Sequence, residues 1–171
     1  MKRDVKTGFF AGMTIVAFLA LVVIYVIIGV KAIRFDIECE GHLKRAADAN
    51  SVELAKQELK TAVDYLFWSG RNTGYTSVLW KTPDEDVTFW YNNLESAYRE
   101  LEALPEDATP LEKTNVLMKL RETLTDDSQY GVAVTVPDGI SRHPHNAMFG
   151  WLRLIAWVFV LFGGLYCVKE L

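Results

Sequence analysis

Hydrophobic residues form two long runs near the ends of the chain, and between them they recur at helical spacing in a polar segment. Residues 8–30 contain no charged side chain, and residues 147–168 contain one, Arg153. An α-helix needs about 20 apolar residues to cross the hydrocarbon core of a bilayer. Both runs reach this length, so we predict transmembrane helices at residues 8–30 and 147–168.

The polar segment begins with a stretch that continues the first helix outward. Residues 31–48 place Cys39, Leu43 and Ala46 on one face at helical spacing. A second amphipathic stretch starts after Asn50, which we predict to be its N-cap. The apolar positions of this second stretch form one face, made of Val52, Ala55, Leu59, Ala62, Val63 and Leu66.

Two copies of the pattern Thr-Pro-x-Glu, at residues 82–85 and 109–112, mark two more helix starts. Thr is a favoured N-cap, Pro is favoured at the first helical position, and Glu three residues after the cap closes a capping box. We therefore predict helices that begin at residues 83 and 110. The helix that begins at residue 83 has its apolar face at Val87, Trp90, Tyr91, Leu94, Ala97, Tyr98, Leu101 and Leu104. The helix that begins at residue 110 has its apolar face at Leu111, Leu117, Leu120 and Leu124.

These elements predict an all-α fold, in which two transmembrane helices bracket an extramembrane bundle of three to four helices. Strand signals are few, apart from a short extended piece at residues 132–136. The predicted organisation is a tail at residues 1–7, a span at 8–30, a helical domain at 31–146, a second span at 147–168 and a tail at 169–171.

Basic residues near the start of the chain indicate its orientation in a membrane. Lys2, Arg3 and Lys6 precede the first run, as in a signal peptide, but the run is too long for a signal-peptide core and no small-residue cleavage site follows. We therefore predict an uncleaved signal anchor. Short basic tails stay in the cytoplasm, so we expect a multi-pass protein of the cell inner (cytoplasmic) membrane, with its domain in the periplasm or an equivalent compartment.

The domain between the spans is strongly acidic. Residues 35–146 hold 20 of the 22 acidic and 11 of the 18 basic side chains, a net charge of −9. Such a surface repels phosphate backbones, so we predict that the protein does not bind nucleic acid. The expected partners are membrane lipids and either other membrane protein subunits or further copies of this chain.

Four residues come nearest to a metal-binding pattern. Cys39 and His42 share a helix face through C-x-x-H spacing, and His143 and His145 precede the second apolar run. Cysteine and histidine are zinc ligands. The helical rise puts Cys39 about 13 Å beyond the first predicted span, farther out than the two histidines. We therefore predict neither a metal nor another cofactor.

Several residues in the apolar runs are suited to contacts between helices. Gly8 and Gly12 are four residues apart, and Gly163 and Gly164 are adjacent; small residues let helix backbones approach closely. Arg153 lies about two turns into the second run. Its side chain either extends back to the near membrane interface or contacts a partner charge or a lipid phosphate in a complex.

Three aromatic residues lie in or beside a loop predicted at residues 70–81, which is rich in Gly, Asn, Ser and Thr. If Trp68, Tyr75 and Trp80 are exposed there, they mark a contact surface. The alternative is that the loop folds back on the bundle and buries them. We name all three as predicted interaction residues.

No motif for a catalytic triad, a zinc protease or a phosphate-binding loop occurs in the sequence. We therefore predict a non-enzymatic two-pass membrane protein that acts as a structural or accessory subunit, or as a homo-oligomeric scaffold, of a membrane complex. The first alternative is an extracytoplasmic sensor or ligand-binding module that signals through a partner. The second is a metal-dependent membrane enzyme. A closed bundle would favour the structural or accessory subunit. A pocket with convergent polar groups would favour the sensor or ligand-binding module, and a bound metal would favour the enzyme.

Overall fold

The computed structural model describes residues 2–128 and 131–170, which form two compact units. The terminal unit comprises the described parts of Met1–Lys31 and His145–Leu171, and the central unit is Ala32–Pro144. Helix dominates both units, which confirms the helical class.

The terminal unit contains two apolar helices, α1 (Lys2–Phe35), which runs on into the central unit, and α6 (Asn146–Glu170). They run antiparallel, since the Phe10 ring lies 4.2 Å from that of Tyr166 and the Lys31 ammonium lies 5.9 Å from the Phe149 ring. Both helices are long and apolar enough to cross a membrane. Least-exposed positions recur every three or four residues on each helix, at Phe10, Thr14, Ala17, Leu21, Phe149, Arg153, Ala156, Val160 and Gly163.

The central unit continues the helix of α1 through a π-helical turn and then folds into a helical bundle. The turn at Asp36–Glu40 leads directly into α2 (Gly41–Ala47), as predicted for residues 31–48. The remaining helices are α3 (Val52–Trp68), α4 (Val87–Ala103) and α5 (Pro110–Leu124). Short 3₁₀ turns lie at Pro83–Glu85 and Ile140–Arg142.

The core of the central unit is built from the predicted apolar faces. Cys39, Leu43 and Ala46 are buried, as are all six predicted positions of α3. The face predicted for α4 is buried or packed against the core along its whole length. The face predicted for α5 is wrong at its start, because Leu111 is 70% exposed while Leu120 and Leu124 are buried.

Two of the three predicted helix starts need correction. The N-cap of α3 is Ser51 and not Asn50, because the Ser51 hydroxyl accepts the Leu54 N–H at 3.3 Å. At the second Thr-Pro-x-Glu pattern the prediction is confirmed: Thr109 and Glu112 form a complete capping box and α5 begins at residue 110. At the first, α4 begins at residue 87 and not 83.

Long-range backbone bonds explain why the first Thr-Pro-x-Glu pattern does not start an α-helix. Thr76 donates its N–H to the Glu85 carbonyl at 3.0 Å, and Val87 donates to the Gly74 carbonyl at 2.9 Å. These bonds hold Asp86 in an extended conformation, so only a 3₁₀ turn forms before it. Asp86 is then the N-cap of α4, accepting the Phe89 N–H at 3.1 Å.

This difference predicts unequal effects of the same substitution at the two patterns. Thr109→Ala removes a working N-cap and is expected to destabilise the central unit by about 1 kcal/mol. Thr82→Ala removes only an exposed hydroxyl bond to Glu85 and is expected to cost less than about 0.5 kcal/mol. Hydrogen exchange of the first amides of α5 and α4 measures both effects; equal costs would contradict the assignment of Asp86 as the cap.

A small β-hairpin departs from the all-α prediction. Strands β1 (Thr125–Ser128) and β2 (Gly131–Val134) pair antiparallel, with Thr125 opposite Val134. The extended piece predicted at residues 132–136 overlaps β2. Its partner was not predicted, because the Asp residues of β1 are depleted in strands and the pairing joins separate parts of the chain.

Candidate functional site

A close contact between α1 and α6 lies at Gly163. A Cβ atom at this position would overlap the Thr14 hydroxyl and lie 3.4 Å from the Phe10 carbonyl oxygen. Thr14 is held in place because its hydroxyl donates to that same carbonyl at 2.9 Å. Glycine is therefore required here for the two backbones to approach.

The other three predicted contact glycines face open space. A Cβ at Gly8, Gly12 or Gly164 would meet no atom within 4 Å. These glycines therefore do not contribute to the contact between α1 and α6. Gly8 and Gly12 are one turn apart on α1, so they leave a shallow surface on which another helix could pack.

Arg153 lies in the row of α6 residues that includes the buried Phe149 and Ala156. It is half-buried, and its Nε atom is buried without a hydrogen-bond partner among the described residues. A guanidinium in this position keeps donors available for a carboxylate, a carbonyl or a phosphate. Arg153 is therefore a polar group in an otherwise apolar helix.

The four residues closest to a metal-binding pattern have separate surroundings. The Cys39 side chain is buried in the core of the central unit, and burial raises the pKa of its thiol far above the usual value, with Glu40 adding to the effect. His42 contacts Glu58, and the buried His143 has its Nε2 atom 2.8 Å from the Thr73 carbonyl oxygen.

His145 is exposed and belongs to the terminal unit. Throughout residues 2–128 and 131–170, no three His, Cys, Asp or Glu side chains are grouped so that they could hold a metal ion. A neutral, core-packed thiol is also a poor metal ligand, because metals bind the thiolate. The structure therefore does not bring Cys39, His42, His143 and His145 together.

A buried ionic cluster that we did not predict joins α2 to α3. Glu58 is a charged residue, yet it lies on the packed face of α3 and is only 2% exposed. Its carboxylate accepts hydrogen bonds from His42 Nδ1, at 2.6 Å, and from the Arg45 guanidinium. Burial by itself raises the pKa of Glu58, but the hydrogen bonds from His42 and Arg45 outweigh it, so the pKa lies below its usual value.

The predicted aromatic contact residues are largely exposed. Trp68 is 81% exposed at the end of α3, and Trp80 is 76% exposed in the loop that follows. Tyr75 is half-buried, with the Lys81 ammonium 5.2 Å from its ring centroid. The loop therefore does not fold back to bury the two tryptophans. Phe67, Val78 and Leu79 are further exposed apolar side chains in the same part of the chain.

A second unpredicted feature is an acidic cleft of about 660 Å³ between the start of α4 and the segment after β2. Phe89, which is 65% exposed, and Trp90 supply its aromatic wall. The Trp90 indole donates to the Thr135 carbonyl at 2.9 Å, which fixes this side of the cleft. Five acidic residues, Asp84, Glu85, Asp86, Asp126 and Asp138, line the cleft together with neutral and apolar side chains.

Carboxylates beside aromatic faces attract cations, through charge and through the ring quadrupole. The cleft is therefore suited to an amine, a guanidinium or another organic cation. The sequence contained a signal for it, since Asp84, Glu85 and Asp86 are consecutive. Their convergence with Asp126 and Asp138 depends on the tertiary fold.

Comparison with known proteins provides no relative from which to transfer a function. No protein family model, curated protein or solved structure matches the chain. Arguments about function therefore depend on the surfaces described above.

Proposed function

We propose that this chain is a non-enzymatic two-pass membrane protein that acts as a structural or accessory subunit, or as a homo-oligomeric scaffold, of a membrane complex. In this proposal α1 and α6 cross the bilayer and the central unit lies outside it. The basic N-terminal tail supports a cytoplasmic location for both termini, which would put the central unit in the periplasm or an equivalent compartment.

The exposed apolar surface of α1 and α6 supports membrane insertion. On both helices, many large hydrophobic side chains outside the mutual contact are more than half exposed, an arrangement that is unfavourable in water and favourable in lipid. They are Phe9, Ile15, Val16, Phe18, Leu19, Val23, Val26, Val30 and Ile33 on α1, and Trp151, Leu154, Ile155, Leu161, Phe162, Leu165 and Val168 on α6.

Surfaces that the two helices do not use on each other support the assembly part of the proposal. Gly8 and Gly12 provide a small-residue face on α1 that no described residue covers. Arg153 provides a polar group whose Nε has no partner among the residues that the structure describes. In lipid, an unsatisfied polar group favours association with a helix that can satisfy it.

The proposal predicts that Arg153 contributes to assembly. Arg153→Leu is expected to weaken association by about 1–2 kcal/mol, a factor of about 5–30 in the dissociation constant. Phe159→Leu is the matched control, because it changes an exposed apolar side chain of the same helix. Native mass spectrometry after mild-detergent extraction measures both.

Two outcomes would contradict this prediction. A wild-type particle of one 19.4 kDa chain, unchanged by cross-linking in the membrane, would exclude assembly. Equal behaviour of the two variants would exclude the role of Arg153.

Orientation is tested separately with Leu111→Cys, which places an exposed thiol on the central unit. Labelling by an impermeant maleimide only after permeabilisation would contradict an outside location; wild type, with Cys39 buried, is the background control.

The acidic cleft supports a second candidate function, an extracytoplasmic sensor or ligand-binding module. An aromatic wall and five acidic residues line one space in the central unit, as in ligand sites. The same native mass spectra distinguish the two functions. A small cation retained by wild type and lost from Phe89→Ala would favour the sensor, while protein subunits without such a ligand would favour the accessory role.

A further inference from the structure

We propose that Trp68 and the loop tip Val78–Trp80 form a surface of the central unit that inserts into the interfacial layer of the bilayer crossed by α1 and α6. This inference rests on the proposed function, because it requires that α1 and α6 span a membrane. In this proposal the exposed tryptophans contact lipid and not a protein partner.

Trp68 lies at the end of the central unit where the chain enters it. The chain enters this unit at Ala32, and the ring of Phe35, one turn later, lies 6.3 Å from that of Tyr65. Trp68 is three residues beyond Tyr65 on α3, about 4.5 Å farther along the helix axis. Since α3 returns towards the point where the chain enters, Trp68 lies at that end of the unit.

The loop after α3 is fixed to the segment through which the chain leaves the unit. The Arg71 guanidinium donates to the Ile140 carbonyl at 3.2 Å and to the Ser141 carbonyl at 3.0 Å. The ring of His143 lies 2.8 Å from the Thr73 carbonyl oxygen. His143 directly precedes Pro144, where the unit ends.

A second set of bonds shapes the tip of the loop. Thr76 donates its N–H to the Glu85 carbonyl at 3.0 Å, and Glu85 donates to the Thr82 carbonyl at 3.2 Å. Residues 77–81 therefore project as a short excursion whose two ends are tied together. Val78, Leu79 and Trp80 are all exposed at this tip.

The bonds of Arg71 and Thr73 place the start of the loop, like Trp68, at the end of the unit where the chain enters and leaves, and Val78–Trp80 follow this anchored segment in the chain. If α1 and α6 span the bilayer, covalent connection alone keeps this end next to the lipid headgroups. Tryptophan is enriched in that layer because its ring is apolar and its indole N–H still finds a hydrogen-bond partner there. Lys81, directly after Trp80, adds a charge that favours lipid phosphates.

The experiment measures which indoles are in contact with lipid in the full-length protein in phosphatidylcholine vesicles. Every variant keeps Trp90, so no buried indole is replaced. A reference variant has Phe at the other four Trp positions, and three test variants each also keep Trp68, Trp80 or Trp157. Bromine atoms on the lipid chains, placed near the headgroup or near the chain end, quench indoles at those depths. Iodide in the buffer quenches indoles exposed to water.

We expect Trp68 and Trp80 to lose emission in vesicles with shallow bromines, more than with deep bromines, and to be largely protected from iodide. The Trp90 reference should be unaffected by either bromine position. Trp157, in α6, should be quenched by bromine whenever the spans are inserted, so an unquenched Trp157 would overturn the proposed function itself.

Two results would overturn only the present inference, with Trp157 still quenched by bromine. Quenching of Trp68 and Trp80 by iodide alone would place them in water. Protection of both from bromine and iodide alike would mean that protein covers them, as expected for an interface with a partner subunit or a second copy of the chain.

Discussion

Replacing both His42 and Arg45 with Ala is expected to destabilise the central unit by about 3 kcal/mol or more, because it leaves the buried Glu58 carboxylate without its two hydrogen-bond partners. The exposed ion pair of Lys60 with Asp64 is the control. Lys60→Ala removes a pair at positions i and i+4 and is expected to cost about 0.3–0.5 kcal/mol.

The physical reason for the large effect is an asymmetry between the partners. Arg45 is mostly exposed and can be solvated if Glu58 is removed, whereas Glu58 has little access to water when its donors are removed. Glu58→Met, which keeps the volume and removes the charge, should therefore cost much less than the double substitution. Hydrogen exchange of the α3 amides in detergent-solubilised protein measures these differences. A larger cost for Glu58→Met than for the double variant would contradict the argument.

The cluster also predicts opposite pH dependences. In wild type the folded-state pKa of Glu58 is below its usual value, so its stabilising contribution is present above an unfolded pKa of about 4.3 and is lost as the pH falls through the folded pKa. In the double variant only burial acts, which raises the folded pKa. The double variant should then lose stability as the pH rises above about 4.3, where the unfolded chain ionises Glu58 more readily than the folded protein does. If the free energy of unfolding changed with pH in the same direction in wild type and in the double variant, the role assigned to His42 and Arg45 would be contradicted.

Local periodicity was sufficient to predict most helices, but not the long-range contacts that determine where they begin. The faces of α3 and α4 follow from spacing alone, because burial on one side of a helix repeats with the helical period. The start of α4 does not, because it depends on bonds from Thr76 and Val87 to residues that are distant in sequence. The Thr109 capping box, in which every bond is local, was predicted correctly.

The buried cluster was within reach of sequence reasoning. Glu58 lies three residues after Ala55 and four before Ala62, so it falls on the apolar face of α3. A charged residue at such a position requires partners, and His42 and Arg45 are three residues apart on the preceding helix. Which pair of residues would meet Glu58 depends on how α2 packs on α3, and that is a tertiary contact.

The glycine pattern shows the limit of composition-based prediction in apolar helices. Gly8, Gly12, Gly163 and Gly164 were equivalent as small residues in the sequence, but only Gly163 contacts the opposite helix. The distinction depends on the rotation of α6 about its axis, which is set by which row of side chains packs on α1. A uniform apolar surface contains little information about that rotation.

Gly163→Leu is accordingly expected to destabilise the contact of α1 with α6 by about 1–3 kcal/mol, the usual cost of forcing a larger side chain into a packed site. Gly164→Leu is the matched control. It adds the same side chain one residue later, where a Cβ meets no atom within 4 Å, and should have little effect. Unfolding of the full-length protein in mixed micelles measures both, followed by fluorescence in the background that keeps only Trp90 and Trp157.

A double-mutant cycle identifies the atoms responsible. Gly163→Ala should be destabilising in wild type, because the new Cβ overlaps the Thr14 hydroxyl, which is held by its bond to the Phe10 carbonyl. In a Thr14→Ala background the overlap is gone, since the Thr14 Cβ itself would be 3.5 Å from the new atom, an ordinary contact. Gly163→Ala should then be neutral, or stabilising by up to about 1 kcal/mol through helix propensity. An equal cost of Gly163→Ala in both backgrounds would mean that the Thr14 hydroxyl does not set the distance between the two helices.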